Sequence, residues 1–89
     1  MYIAYMTRYE VRIMRSAEKT LASYDAALRN RVIAKLDAIA DNPRGPDSKK
    51  LDGNIYRVRV GDYRIVYDVR DKERTAVVLR IGHRSEVYR

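Results

Sequence analysis

The stretch that leaves this chain the least freedom is VRVGDYRIVY, residues 58–67. Apolar and charged side chains alternate on both sides of Gly61-Asp62, the period of a half-buried strand. A two-residue connection with glycine first matches a tight hairpin turn, because its first central residue takes a positive φ. That turn sets a register: Val60 opposite Tyr63, Arg59 opposite Arg64, Val58 opposite Ile65, Arg57 opposite Val66 and Tyr56 opposite Tyr67. One face then reads Tyr56, Val58, Val60, Tyr63, Ile65, Tyr67 and belongs against other elements. The other reads Arg57, Arg59, Arg64, Val66, Asp68. A slip of one residue would exchange the faces, so the apolar pattern specifies the register.

The remaining elements arrange themselves around this hairpin. Tyr9, Val11 and Ile13 alternate with Arg8, Glu10 and Arg12 in a first strand. Ser16 reads as a helix N-cap with Glu18 in the first turn, and Ala17, Leu21 and Tyr24 form a short helical stripe. Asp25 caps a second helix whose stripe is Leu28, Val32, Ile33, Leu36 and Ile39. That helix ends at Asn42-Pro43, since a residue before proline is pushed out of the α region. Helices so near in sequence suggest an antiparallel hairpin. Residues 42–54 hold both prolines and two of the four glycines and read as a loop. After a turn at residues 71–74, TAVVLRI, residues 75–81, is apolar on both faces and fits the interior of a sheet. The expected fold is α+β, one domain over residues 1–89 in the order β-α-α-β-β-β. Its helix hairpin packs on one face of a mostly antiparallel sheet. Residues 1–6 read as a loose leader.

Composition narrows the partners. The 89-residue chain carries a formal net charge of +7, and arginine supplies most of its cations. Arginine favours planar, bidentate recognition of phosphate or carboxylate, so the charge points to an anionic partner. There is no cysteine, hence no disulfide framework or thiolate metal site, which fits a reducing cytoplasm. No apolar run reaches the ~20 residues of a membrane span.

The hairpin's polar face asks what its arginines hold. Arg57 and Arg59 point the same way about 7 Å apart, and Arg64 lies across from Arg59. Directly opposed like charges destabilise a sheet, so the trio persists more easily where an anion bridges it. Fanning into solvent, or pairing with Asp68 or Glu86, is the alternative. His83 is the only histidine and can serve either structure or proton transfer. Arg84 follows the last strand, and Tyr88 can stack on a base or donate a hydrogen bond. No phosphate-cradling glycine loop, nucleophile elbow or zinc ligand set is present. A cationic cleft with one titratable group suits phosphodiester cleavage by a neighbouring 2′-hydroxyl, whose crowded anionic phosphorane arginines can stabilise. Arginine suits proton transfer badly, because it hardly gives up its proton.

KKLDGNIYRVRVGDYRIVYDV followed by RIGHRSEVYR resembles the RelE branch of the RelE/ParE toxin superfamily, over nearly the whole chain. The resemblance implies the toxin of a type II toxin–antitoxin system, a cytoplasmic endoribonuclease that cleaves mRNA in the ribosomal A site. It also implies a cognate, acidic antitoxin as partner beside mRNA and ribosome, with no membrane, metal or small-molecule cofactor. Carried over by position, the catalytic set is Arg57, Arg59, Arg64, Arg84 and the terminal Tyr88. His83 joins it from its place in the Gly-His-Arg motif. Lys49 and Lys50 would add RNA contacts. The best-studied RelE pattern has lysines where Arg57 and Arg59 stand, which puts a lysine-type general base in doubt. The alternatives are a ParE-like inhibitor of DNA gyrase that acts by binding, and a catalytically weak RelE relative.

Overall fold

The structure, a computed structural model, describes residues 8–87. Residues 1–6, read above as a leader, and Tyr88 lie outside the described residues. Seven elements follow in order: β1 (Glu10–Ile13), α1 (Arg15–Ser23), α2 (Ala26–Asp41), β2 (Ser48–Asp52), β3 (Ile55–Val60), β4 (Tyr63–Arg70) and β5 (Thr75–His83). The strands form one sheet in the order β1-β5-β4-β3-β2. Every pairing is antiparallel except β1 with β5. β5 therefore lies inside the sheet, as its apolar run anticipates.

The β3–β4 register is the one read from the sequence, from Tyr56 opposite Tyr67 to Val60 opposite Tyr63. Gly61 carries the turn at φ 60°. A Cβ there would stand 2.9 Å from the end of the exposed Arg31 side chain, which can swing aside, so conformation rather than space holds the glycine. The apolar face of the hairpin joins the core. Val58, Val60, Ile65 and Tyr67 pack with Ala17 and Leu21 of α1, and with Val32, Leu36 and Ile39 of α2. Both helices thus cover one face of the sheet. Tyr67 is fully buried, and its hydroxyl donates to the Pro43 carbonyl at 2.6 Å. This bond pins the end of α2 to the sheet, and burial pushes the phenol up to about 12.

Three local expectations differ from the structure. Residues 48–52 form an edge strand rather than loop, joined to β3 by Gly53-Asn54, with Gly53 at φ 54°. Its sequence SKKLD is mostly exposed on both faces, as suits an edge strand guarded by lysines, so it shows no alternation. Helix α1 starts one residue before Ser16, and its N-cap Met14 makes no side-chain cap bond. The Met14 N–H bonds instead to the Val78 carbonyl, so sheet pairing fixes where strand gives way to helix. Ile33 is 43% exposed, because the buried stripe of α2 runs through Val32, Leu36 and Ile39 and leaves its neighbour outside. Asp25 does cap α2, accepting from the Leu28 N–H at 2.9 Å. The helix ends at the Asn42 C-cap.

A polar clamp closes the end of the sheet near the β4–β5 turn. Arg44 makes a two-pronged bond to Asp71, 2.9 Å at each oxygen, and its Nε donates to the Tyr56 hydroxyl. Tyr9 donates to the same carboxylate at 2.6 Å. The Arg44 fork, then the Tyr9 hydroxyl, hold Asp71 down to about 2. A carboxyl depressed on folding contributes stability above its ordinary range near pH 4, and loses it as pH falls towards 2. Asp71→Asn is therefore expected to lower the denaturation midpoint at pH 6, with the gap to the parent closing at pH 2.5. A gap unchanged by acid contradicts the clamp.

Candidate nucleic-acid interface

The face of the sheet away from the helices gathers cations in rows across the strands. Lys49 of β2 stands opposite Arg57 of β3, Arg57 opposite Val66 of β4, and Val66 opposite Arg80 of β5. The next row runs Arg59, Arg64, Gly82. The C-terminal turn adds Arg84, whose N–H donates to the Asp62 carbonyl at 2.8 Å. That bond ties the turn after β5 to the hairpin turn between β3 and β4. The result is a groove of about 620 Å³ lined by Lys49, Leu51, Arg57, Arg59, Arg64, Arg84 and Ser85.

The arginines are held differently from one another. Arg57 and Arg64 are each only 9% exposed, whereas Arg59 and Arg84 are exposed. Arg64 Nη1 donates to the carbonyls of Gly61 and Tyr63 at 3.1 and 3.0 Å. Two bonds to the hairpin's own turn fix the guanidinium before any ligand arrives. Val66, between Arg57 and Arg80 in the register, is only 7% exposed. Among the described residues, none of Lys49, Arg57, Arg59, Arg64 and Arg84 has a carboxylate within ion-pair distance. Asp68 pairs with Arg70, and the other ion pairs lie elsewhere. The alternative of pairing with Asp68 or Glu86 is not what the structure shows. Five cations converge without internal neutralisation, an arrangement suited to several phosphate oxygens at once.

Not every residue singled out from sequence reaches this groove. Lys50 stands opposite Tyr56, so it points to the other side of the sheet from Lys49. His83 stands opposite Tyr63 in the register and packs edge-on against the Tyr63 ring, centroids 5.5 Å apart, while Tyr63 meets Tyr24 at 5.2 Å. The His83 ring lines a separate groove of about 680 Å³ between α1 and β5, with Met14, Thr20, Tyr24 and Tyr63 among its walls. Sequence reading missed Ser85, which lines the groove, and Arg80, which by register stands on the same face of the sheet but does not line the groove. Simple alternation along β5 puts Arg80 on the same side as the buried Val78. A bulge between the Tyr67–Val78 and Val66–Arg80 pairs returns it to the basic face. The signal was there: a lone arginine at a core parity marks a break in the period.

Comparisons with known proteins agree with this architecture. Residues 11–88 match the family model described as "ParE toxin of type II toxin-antitoxin system, parDE". A protein of Escherichia coli described as RelE-like toxin is 34% identical over 87 residues, covering 91% of this chain and 90% of its own. The toxin-like fold recurs in the archaeal RelE–RelB complex from Pyrococcus horikoshii OT3, with TM-score 0.80, 30% identity, and coverage of 90% of this chain and 99% of that one. The isolated E. coli RelE toxin superposes with TM-score 0.76 at 27% identity, covering 90% of each chain.

Proposed function

This chain belongs to the RelE/ParE superfamily of toxins of type II toxin–antitoxin systems, and we propose that it is a ribosome-dependent endoribonuclease that cuts mRNA in the A site. The observation that carries the reading is the groove in which Lys49, Arg57, Arg59, Arg64 and Arg84 converge with no carboxylate partner among the described residues. In the proposed reaction a 2′-hydroxyl loses its proton and attacks the adjacent phosphorus, negative charge builds on the phosphoryl oxygens, and the P–O5′ bond breaks to leave a 2′,3′-cyclic phosphate and a 5′-hydroxyl that has taken up a proton. Fixed guanidinium donors stabilise that charge without reorganising. Arg64, anchored by two turn carbonyls, supplies the most preorganised of them. Arg57, Arg59 and Arg84 hold the flanking backbone, and Lys49 extends the track to the edge strand. Tyr88 is assigned the proton-transfer role by position in the family pattern, since arginine serves that step badly.

The same reading includes a neutralising antitoxin of acidic character. Strand β1 pairs with β5 only from Thr75 to Val78, so residues 79–83 present an edge beside α1 where the second groove lies. An extended or helical partner segment fits there. The family description names ParE, which favours inhibition of DNA gyrase by binding as the second reading. Induction in growing cells separates the two: the endoribonuclease stops protein synthesis within minutes and leaves broken messages. A DNA-damage response with intact messages would instead support the gyrase reading.

A further inference from the structure

His83 carries a titratable ring outside the basic groove, and its hydrogen bonds say what it does. The Ser85 backbone N–H points at His83 Nδ1 at 3.2 Å, and Ser85 Oγ lies 2.9 Å from the same nitrogen. A backbone N–H can only donate, so Nδ1 is the accepting nitrogen and the ring proton sits on Nε2. An acceptor on side chain i closing onto the N–H of residue i+2 is the geometry of an Asx turn, here made by an imidazole in place of an asparagine oxygen. The main chain reinforces it: the His83 carbonyl accepts from the N–H groups of Glu86 and Val87 at 2.8 and 3.1 Å. Between these bonds sits Arg84, whose own N–H is held by the Asp62 carbonyl. The ring itself is fixed edge-on, at 84°, against Tyr63.

We infer that His83 is a positioning residue: its Nδ1 builds the turn that aims Arg84 and Ser85 into the basic groove, and it does not transfer a proton to or from RNA. This rests on the groove being the RNA site. A general acid or base needs a ring nitrogen within hydrogen-bond reach of the reacting oxygens. Here one nitrogen is engaged by Ser85, and the ring lines the groove beside α1 instead.

The inference separates variants that a proton-transfer role would treat alike. In His83→Asn the amide oxygen can take the place of Nδ1 and accept from Ser85. His83→Phe keeps a ring against Tyr63 and loses the acceptor. Cutting of ribosome-bound message is expected to stay within about fivefold of the parent for the asparagine variant. It should fall by about a hundredfold for phenylalanine, the scale on which a displacement near 1 Å costs activity. Amide exchange at Ser85, read by NMR on the free protein, should be slow in the parent and in His83→Asn and fast in His83→Phe. Nitrogen shifts of the parent imidazole should show Nδ1 unprotonated and Nε2 bearing the hydrogen. A folded His83→Asn as inactive as His83→Phe, with Ser85 still protected, overturns the inference in favour of proton transfer. An Nδ1 that carries the hydrogen overturns it as well. Should the parent itself cut nothing on ribosomes, the functional reading fails, and the exchange and imidazole measurements still decide whether His83 builds the turn.

Discussion

Arg84→Ala, or Arg59→Ala together with Arg64→Ala, is expected to abolish cutting of mRNA on the ribosome while the protein stays folded. Arg64→Ala removes a donor aimed at charge that develops in the transition state, and loss of Arg59 or Arg84 frees the flanking backbone that presents the reacting phosphate to it. Loss of one such donor typically costs ~3 kcal/mol, about two to three orders of magnitude in rate. The fold should tolerate the changes for residue-specific reasons. Arg59 and Arg84 are exposed, and among the described residues neither makes an ion pair. Arg64 gives up two bonds to turn carbonyls, but its removal also relieves repulsion from Arg59 directly across the hairpin. Thermal unfolding alongside the cutting assay tells lost chemistry from lost structure. A double variant that melts like the parent and cuts at full rate would remove the basic face from the mechanism.

Salt should act nearly as strongly as mutation. Each lysine or arginine that neutralises a phosphate releases condensed counterions, and for single strands the affinity falls with a logarithmic slope of about 0.7 per contact. Five cations line the groove, so binding of a single-stranded RNA should weaken roughly a hundredfold between about 50 and 200 mM salt. Lys49→Ala should lower the slope by about one contact's worth without changing which sequence is preferred. Replacing Lys50, on the other side of the sheet, should leave the slope alone. A flat salt response in the parent would mean that RNA does not lie along these side chains.

The parts legible in the sequence were those whose signal is local. Gly61-Asp62 and the flanking alternation fix the β3–β4 register to the residue, because turn geometry and the buried face demand the same pairing. Asp25 and Asn42-Pro43 bound α2 through short-range chemistry. The edge strand β2 was hidden, because SKKLD is mostly exposed on both faces and carries no period. Its clue was Gly53-Asn54, a glycine-first pair like the one that closes the next hairpin. The basic groove was half legible. Arg57, Arg59 and Arg64 share a face by parity alone. Arg84 joins them only through a long-range bond to Asp62, and Arg80 reaches their face of the sheet, outside the groove, only through a bulge. The first is not written in the neighbouring residues, and the second shows only as an arginine at a core parity. His83 shows the same limit in reverse: its position beside Arg84 in sequence suggests a shared site, while the register turns its ring towards Tyr63.

The central claim is that the arginine groove cuts mRNA presented by the ribosome. Primer extension on a defined message, with and without programmed ribosomes, tests it most directly. The expected result is a set of breaks within the A-site codon that appear only with ribosomes and vanish with Arg84→Ala. An intact message in the presence of ribosomes and folded, antitoxin-free protein would contradict it.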